Sequence, residues 1–282
     1  MGGALNLDFG ASTSELLVIA SWLLAGGCLT GFMVGLLGVG GGGVMVPVLN
    51  EVFSILQVDE AYRMQMTVGT ALAIMIPTSL RSFSAHAKHA AVDYSILWRL
   101  AAPVMIGVII GSIIAKYSHS DVLKWVWVVC SLLLALKMLT GRSDLRFGDT
   151  IPKSRVVEIC GVGIGVISSL MSIGGGAFVT IMMTLYGRTI QQAVATASGF
   201  GPIVALPGVI GFAWAGWDRV GLPPGSIGYV SLLSALLMVS SSILTAPLGA
   251  RVAHGISRRA LELAFGIFLL IVGTRFFVSL VW

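Results

Sequence analysis

The chain has 282 residues, of which 56% are hydrophobic and only 10% charged, and its mean hydropathy is +0.97. A soluble domain carries about a quarter charged residues because its surface must face water, so this composition excludes one. The formal net charge of +5 comes from Lys and Arg gathered in short loops, as orientation signals are on membrane proteins. No water-facing domain is present on which a nucleic-acid site could stand.

In chain order, long apolar runs cover Leu16–Leu37, Thr67–Phe83, Leu97–Ala115, Val122–Leu139, Val156–Ile173, Ala193–Ala215, Ile227–Pro247 and Leu261–Val281. Each approaches or exceeds the roughly 20 helical residues that cross a hydrocarbon core. Two shorter runs, Val44–Leu56 and Ala177–Tyr186, lie between them. Lipid cannot satisfy backbone N–H and C=O groups, so all of these are expected to be helices, with the short ones crossing or re-entrant. The first run follows Asp8 and Glu15 rather than Lys or Arg, which predicts a retained helix and not a signal peptide. Cys28, Cys130 and Cys160 have no paired spacing and read as small packing residues.

An internal repeat organises these runs. GFMVGLLGVGGGGVMVPVL from Gly31 aligns with GVISSLMSIGGGAFVTIMM from Gly165, so that Gly40, Gly41 and Gly42 fall on Gly174, Gly175 and Gly176 without a gap. Downstream, TVGTALA from Thr67 matches AVATASG from Ala193 and pairs Thr70 with Thr196, the first half carrying a longer loop around residues 57–63. The expected organisation is a first helical repeat over residues 1–140, a cytoplasmic linker over 141–155 and a second repeat over 156–282. Five segments per half is an odd number, which would invert the second half. The basic positions Arg81, Lys88, Arg99, Arg142, Arg146, Lys153, Arg155, Arg251, Arg258 and Arg259 then fall on one side, and the acidic Glu51, Asp59 and Glu60 on the other. Lys116, Lys124 and Arg219 dissent. The fold class is thus an all-α, polytopic membrane helix bundle of two homologous halves, an inverted repeat with glycine-broken helices.

Glycines at four-residue spacing, Gly31/Gly35 and Gly107/Gly111, suit close helix packing. Consecutive glycines do something else: Gly40–Gly43 and Gly174–Gly176 should break the helix, because each costs about 1 kcal/mol relative to alanine. The helices restarting at Val44 and Ala177 would then begin with unpaired N–H groups and a partial positive charge, which attract an anion. Around the breaks stand hydroxyls and amides able to bond an oxyanion: Thr70, Thr196, Gln65, Thr67, Gln191, Gln192, Ser198, Ser168, Ser169 and Ser172. Any one of them could instead bond its own helix. Arg81 could assist an anion on the cytoplasmic side, or snorkel to the interface, and Arg275 is costly within an apolar run. His86 and His89, close to Asp93, could relay protons or bind metal, although a basic loop beside headgroups explains them as well.

The stretches GLLGVGGGGVMVPVL, TVGTALA, HAKHAAVDYSILWRL and GSIGYVSLLSALLMVSSSILTAPLGARVAHGISRRALELAFGIFLLIVGTRFF resemble the TauE/SafE sulfite-exporter family from about Leu16 to the C-terminus. The sequence departs from the family at His89-Ala90-Ala91-Val92-Asp93, where a glycine often precedes the valine, and at Arg81, where a small polar residue is expected. The resemblance implies a bacterial or archaeal inner-membrane transporter of small sulfur-containing anions such as sulfite, sulfoacetate or related sulfonates. It also implies a substrate region formed by Gly40, Gly41, Gly42, Gly43, Gly174, Gly175 and Gly176 with Thr70 and Thr196.

The expected function is secondary transport of a small oxyanion, as an exporter, by alternating access. GVGGGGV lacks the GK[ST] ending of a phosphate-binding loop, so a gradient must drive it, with a proton or sodium ion as the candidate coupling ion. No cofactor and no metal are expected, the partners are the anion and membrane lipid, and a homo-oligomer stays open. An anion channel, or a transporter of another small organic anion, would use the same region. An intramembrane enzyme would need a paired nucleophile and base or a metal cluster, and neither is found. A structural subunit would not need matched polar residues beside both breaks.

Overall fold

The computed structural model describes residues 13–37, 42–89, 92–141, 148, 151–152, 154–253 and 257–282. The chain forms α1 (Thr13–Leu37), α2 (Gly42–Ile55), α3 (Glu60–His89), α4 (Tyr94–Tyr117), α5 (Ser120–Thr140), α6 (Arg155–Met171), α7 (Gly176–Leu185), α8 (Ile190–Ser198), α9 (Phe200–Ala215), α10 (Leu232–Ala253) and α11 (Arg258–Val281). Every apolar run is mainly helical, with two adjustments. The run at Ala193–Ala215 is divided into α8 and α9 at Gly199. The run at Ile227–Pro247 starts in a small antiparallel hairpin, β1 (Ser226–Ile227) with β2 (Val230–Ser231), turned by Gly228 at φ 53°.

Five stretches among the described residues are long and apolar enough to span a membrane: Tyr94–Tyr117, Ser120–Thr140, Gln191–Ala215, Leu232–Gly249 and Glu262–Val281. The sequence suggested eight. Of the others, α6 has only 17 residues, and the apolar part of α1 is Leu17–Met33. Helix α3 is long but carries Arg63, Gln65, Thr67 and Arg81. It tolerates Gln65 and Thr67 because Met64–Leu72 are buried against protein rather than lipid, whereas Arg81 near its far end is exposed. Lipid-type side chains appear instead on the outside, where Ile106, Ile109, Ile110 and Ile113 of α4 are exposed with Trp98 near its start.

Small residues set the helix pairings. A methyl on Gly107 would strike the Val162 carbonyl and one on Gly111 the Ser169 hydroxyl, so α4 and α6 lie parallel and close. Gly27 sits against Met238 and Ser241, and Gly31 against Ser242 and Thr245, which makes α1 and α10 parallel in the same way. Two other pairs run antiparallel. Gly201 meets Ser79, Gly208 meets Leu72 and Phe212 meets Gly69 between α9 and α3. Between α11 and α5, Gly266 meets Met138, Gly273 meets Ser131, and Trp127 stacks edge-on against Phe276 at 4.9 Å.

These pairings sort the helix ends onto two faces. On one face α3, α5 and α10 begin and α4, α9 and α11 end; Gln65 there donates to the Ser118 carbonyl at 2.8 Å, and the Met64 N–H donates to Ser120 Oγ at 3.0 Å. On the other face α4, α6 and α11 begin and α5 ends, its last carbonyls capped by Arg259. The pair α1–α2 returns to the first face and α6–α7 to the second, so both short helices are re-entrant arms. The cations of the first face are all held. Lys124, 4% exposed, pairs with Glu60 at 3.0 Å and Asp121 at 3.5 Å. Lys116 lies 3.7 Å over the Trp214 ring, Arg63 donates to Val58 O, Arg219 to the Tyr229 hydroxyl, and Arg275 pairs with Glu51 at 2.6 Å. The three cations that dissented from the charge pattern are thus bound locally by partners.

Candidate functional site

The two glycine breaks come together at the centre of the bundle. Gly42, the first residue of α2, is packed so closely on the Ser172 carbonyl that a methyl there would collide with it. Gly42 and Gly176 are matched positions of the repeat, and each opens its short helix, slightly earlier than the Val44 and Ala177 restarts expected. Gly40 and Gly41 lie outside the described residues.

On the second break the backbone is left-handed at Ser172 (φ 56°), Gly174 (φ 75°) and Gly175 (φ 71°). Glycine adopts this region freely, but a residue with a Cβ does so at a cost of about 1–2 kcal/mol. Ser172 is therefore a side chain kept where glycine would be cheaper, and the aligned position of the first half is Gly38. Ser172 caps α6, its N–H donating to the Ser168 carbonyl. The hydroxyls of both Ser168 and Ser172 are fully buried and have no hydrogen-bond partner among the described residues. Buried hydroxyls normally find partners, so this pair is a candidate donor set for a bound ligand. The first turn of α7 starts beside them, with its free N–H groups and partial positive charge.

The wall of this break comes from α3, α8 and α9. Gly174 faces the Met75 thioether, Gly175 faces Phe200 and Val204, and Gly176 faces the Ala197 carbonyl. Gly43, on the first break, rests on Phe265 and Leu269 of α11. Apart from the Ala197 carbonyl and the Ser168 hydroxyl these neighbours are apolar, and none of them is charged.

The other polar residues singled out from sequence separate into groups. Ser198 donates back to Ala195 O at 2.7 Å, Thr67 to Arg63 O at 2.9 Å and Ser169 to Val166 O at 2.9 Å. Gln65 is spent on the α4–α5 turn at the first face, away from the breaks. Gln192 lies in the first turn of α8, where its N–H is capped by Thr189. Arg81 is exposed, a turn and a half past Met75, about 9 Å along the helix. The side chains of His86 and His89 lie outside the described ones.

The matched threonines have a precise role. Thr196 Oγ1 accepts the N–H of Asp93, which caps α4, at 2.9 Å. Thr70 Oγ1 accepts the N–H of Ser231, which precedes α10, at 3.0 Å. Each threonine thus ties the start of the helix that follows in the opposite half, one tie at each face. Beside the Thr196 tie, Arg188 pairs with Asp93 at 3.6 Å. Beside the Thr70 tie stand Tyr62 and Tyr229, stacked at 6.1 Å. Sequence reasoning missed Arg188 and Ser231 altogether. The signal available was local to Asp93 alone, an N-cap residue just before an apolar run. A cavity of about 300 Å³ opens at the first face between Glu60, His119, Asp121 and Lys124 and touches neither break.

Comparison with known proteins fits this membrane architecture. Residues 23–276 match the family model described as sulfite exporter TauE/SafE. A Haemophilus influenzae protein, named a probable membrane transporter protein, is 29% identical over 90% of this chain and 96% of its own length. Relatives of the same description from Methanocaldococcus jannaschii and Bacillus subtilis are each 26% identical, covering 92% and 88% of this chain and 96% and 94% of their own. No solved structure matches. The chain is a multi-pass membrane protein that belongs to the sulfite exporter TauE/SafE family of membrane transporters.

Proposed function

We propose that the chain is a secondary transporter of small sulfur-containing oxyanions (sulfite, sulfoacetate or other sulfonates), working as an exporter by alternating access. Its two repeats, residues 1–140 and 156–282 about a cytoplasmic linker over 141–155, are inverted relative to each other. Support for the inversion is the pattern of directions. Corresponding helices α3 and α9, and α5 and α11, pair antiparallel, whereas α1 with α10 and α4 with α6 pair parallel and exchange when the halves are exchanged. The face bearing Arg81, Arg99 and Arg155 is cytoplasmic by the distribution of positive charge.

The observation that carries the anion site is the contact of Gly42 with Ser172, beside two buried, unpartnered hydroxyls. In this reading the N–H groups opening α7 and α2 and the hydroxyls of Ser168 and Ser172 donate to the sulfonate or sulfite oxygens. Neutral donors hold an anion without a buried cation, so binding stays weak enough for release. Thr70 and Thr196 act one step away, by holding the opposite half in place. Rocking of the halves breaks one threonine tie at a time and exposes the site to one side, driven by a proton or sodium gradient. Counterflow in proteoliposomes tests this: a carrier preloaded with unlabelled sulfite accumulates labelled sulfite transiently and saturably. A channel shows no such overshoot, and its absence would remove alternating access.

A further inference from the structure

We propose that Arg188 is an anion-binding residue at the basic face, where Asp93 occupies its guanidinium until the transported anion displaces it; this rests on the anion-transport reading above. Arg188 stands in the turn between α7 and α8, fixed by its own N–H to Met183 O at 3.1 Å and by Gly187 at φ 75°. Its Nη2 is 3.6 Å from Asp93 Oδ2, too long for a good hydrogen bond. Its Nε is buried yet has no partner among the described residues. Nε–H and Nη–H on one edge of a guanidinium form the fork that grips two oxygens of a carboxylate or oxyanion. Here one prong is held loosely and the other by no described residue. Asp93 is needed elsewhere, since its Oδ1 accepts the Ile96 N–H at 3.2 Å as the cap of α4.

The location makes the exchange consequential. Arg188 lies at the far end of α7 from the glycine break, about 15 Å away along a ten-residue helix. The same Asp93 donates its N–H to Thr196, so an anion that takes Arg188 frees the carboxylate and loosens the tie between α8 and the start of α4. The opposite tie, at Thr70 and Ser231, has the stacked Tyr62 and Tyr229 rings beside it instead. The two gates therefore differ, and the basic one answers to the anion itself.

The test is binding of sodium sulfite to the purified protein by calorimetry, with sodium chloride at equal ionic strength as control. Arg188→Gln should weaken sulfite binding roughly tenfold or more, the loss of charge-assisted hydrogen bonds, and Arg188→Lys should recover part of it. Asp93→Asn, which keeps a capping side chain, should tighten binding by removing the competing carboxylate. Opposite signs for the two partners are required; equal signs, or no change in either, would overturn the assignment, as would failure of the wild type to bind sulfite. A second readout needs no variant. Sulfite should speed hydrogen exchange at residues 93–97 of the wild type, and unchanged or slower exchange would also overturn it. Arg188-dependent binding without counterflow would support the assignment while removing the transport reading.

Discussion

The Oγ1 of Thr196 accepts the backbone N–H of Asp93 at 2.9 Å, joining α8 to the residue that caps α4. Its counterpart, Thr70 with Ser231 at 3.0 Å, does the same for α3 and α10. Valine in place of threonine keeps the shape but strands the amide. Thr70→Val, whose partner amide is buried, should lower stability by about 1–3 kcal/mol, and Thr196→Val, at a partly exposed amide, by less. Thr→Ser should restore most of the loss. Thermal unfolding in detergent checks this, and two unaffected variants would mean that the ties do not hold the halves together.

The contact of Gly42 with Ser172 leaves no room for a side chain. Gly42→Ala should shift the Ser172 backbone, lower stability by about 1–3 kcal/mol as overpacking does, and abolish sulfite flux. Gly163 provides an internal control, because nothing lies within 4 Å of a Cβ built there. Gly163→Ala should keep flux and leave stability equal or higher by up to about 1 kcal/mol. Similar behaviour of the two variants would remove the close approach of the breaks as a functional feature.

Ser172 separates folding from function. Ser172→Gly removes the Cβ from a left-handed position, which should raise stability by about 1 kcal/mol, while deleting an unpartnered hydroxyl. Anion affinity should fall in the same variant. A parallel rise or fall in both quantities would argue that the serine is structural.

Glu60 makes acid stability at the first face testable. It lies ahead of the apolar part of α3, and its hydrogen bond to Lys124, then the charge of that lysine, hold its carboxyl below the ordinary value of 4.5. A depressed carboxyl contributes stability that is complete above the unfolded value and is lost as pH falls through the lower folded value. Glu60 is 66% exposed, so the effect is modest. Unfolding curves at stepped pH should show an acid loss in the wild type that is reduced in Glu60→Gln. Equal slopes would mean that Lys124 gains nothing from Glu60.

The helices were legible because lipid demands long apolar runs, and the glycine breaks because consecutive glycines do not suit helix packing. The match of Gly42 with Gly176 was visible in the sequence, but the two short helices start at these glycines rather than at the expected Val44 and Ala177. What stayed hidden depends on contacts between distant parts of the chain. Thr70 and Thr196 were visible as a pair, but their partners Ser231 and Asp93 are set by packing of opposite ends. The loose pair of Arg188 with Asp93 leaves no local pattern either. Hydropathy also counted α3 among the long apolar runs, although Gln65, Thr67 and Thr70 are tolerated there because they are buried against other helices.

In the proposed mechanism the two glycine breaks and the serines beside them form one anion site. Thermal-shift titration of the wild type and Ser172→Gly with sulfite, sulfate, thiosulfate, sulfonates and small carboxylates tests it most directly. A sulfur oxyanion should stabilise the wild type in a saturable manner, while the equally well folded Ser172→Gly variant should lose most of that gain. An equal gain in both proteins, or a gain from carboxylates alone, would contradict it.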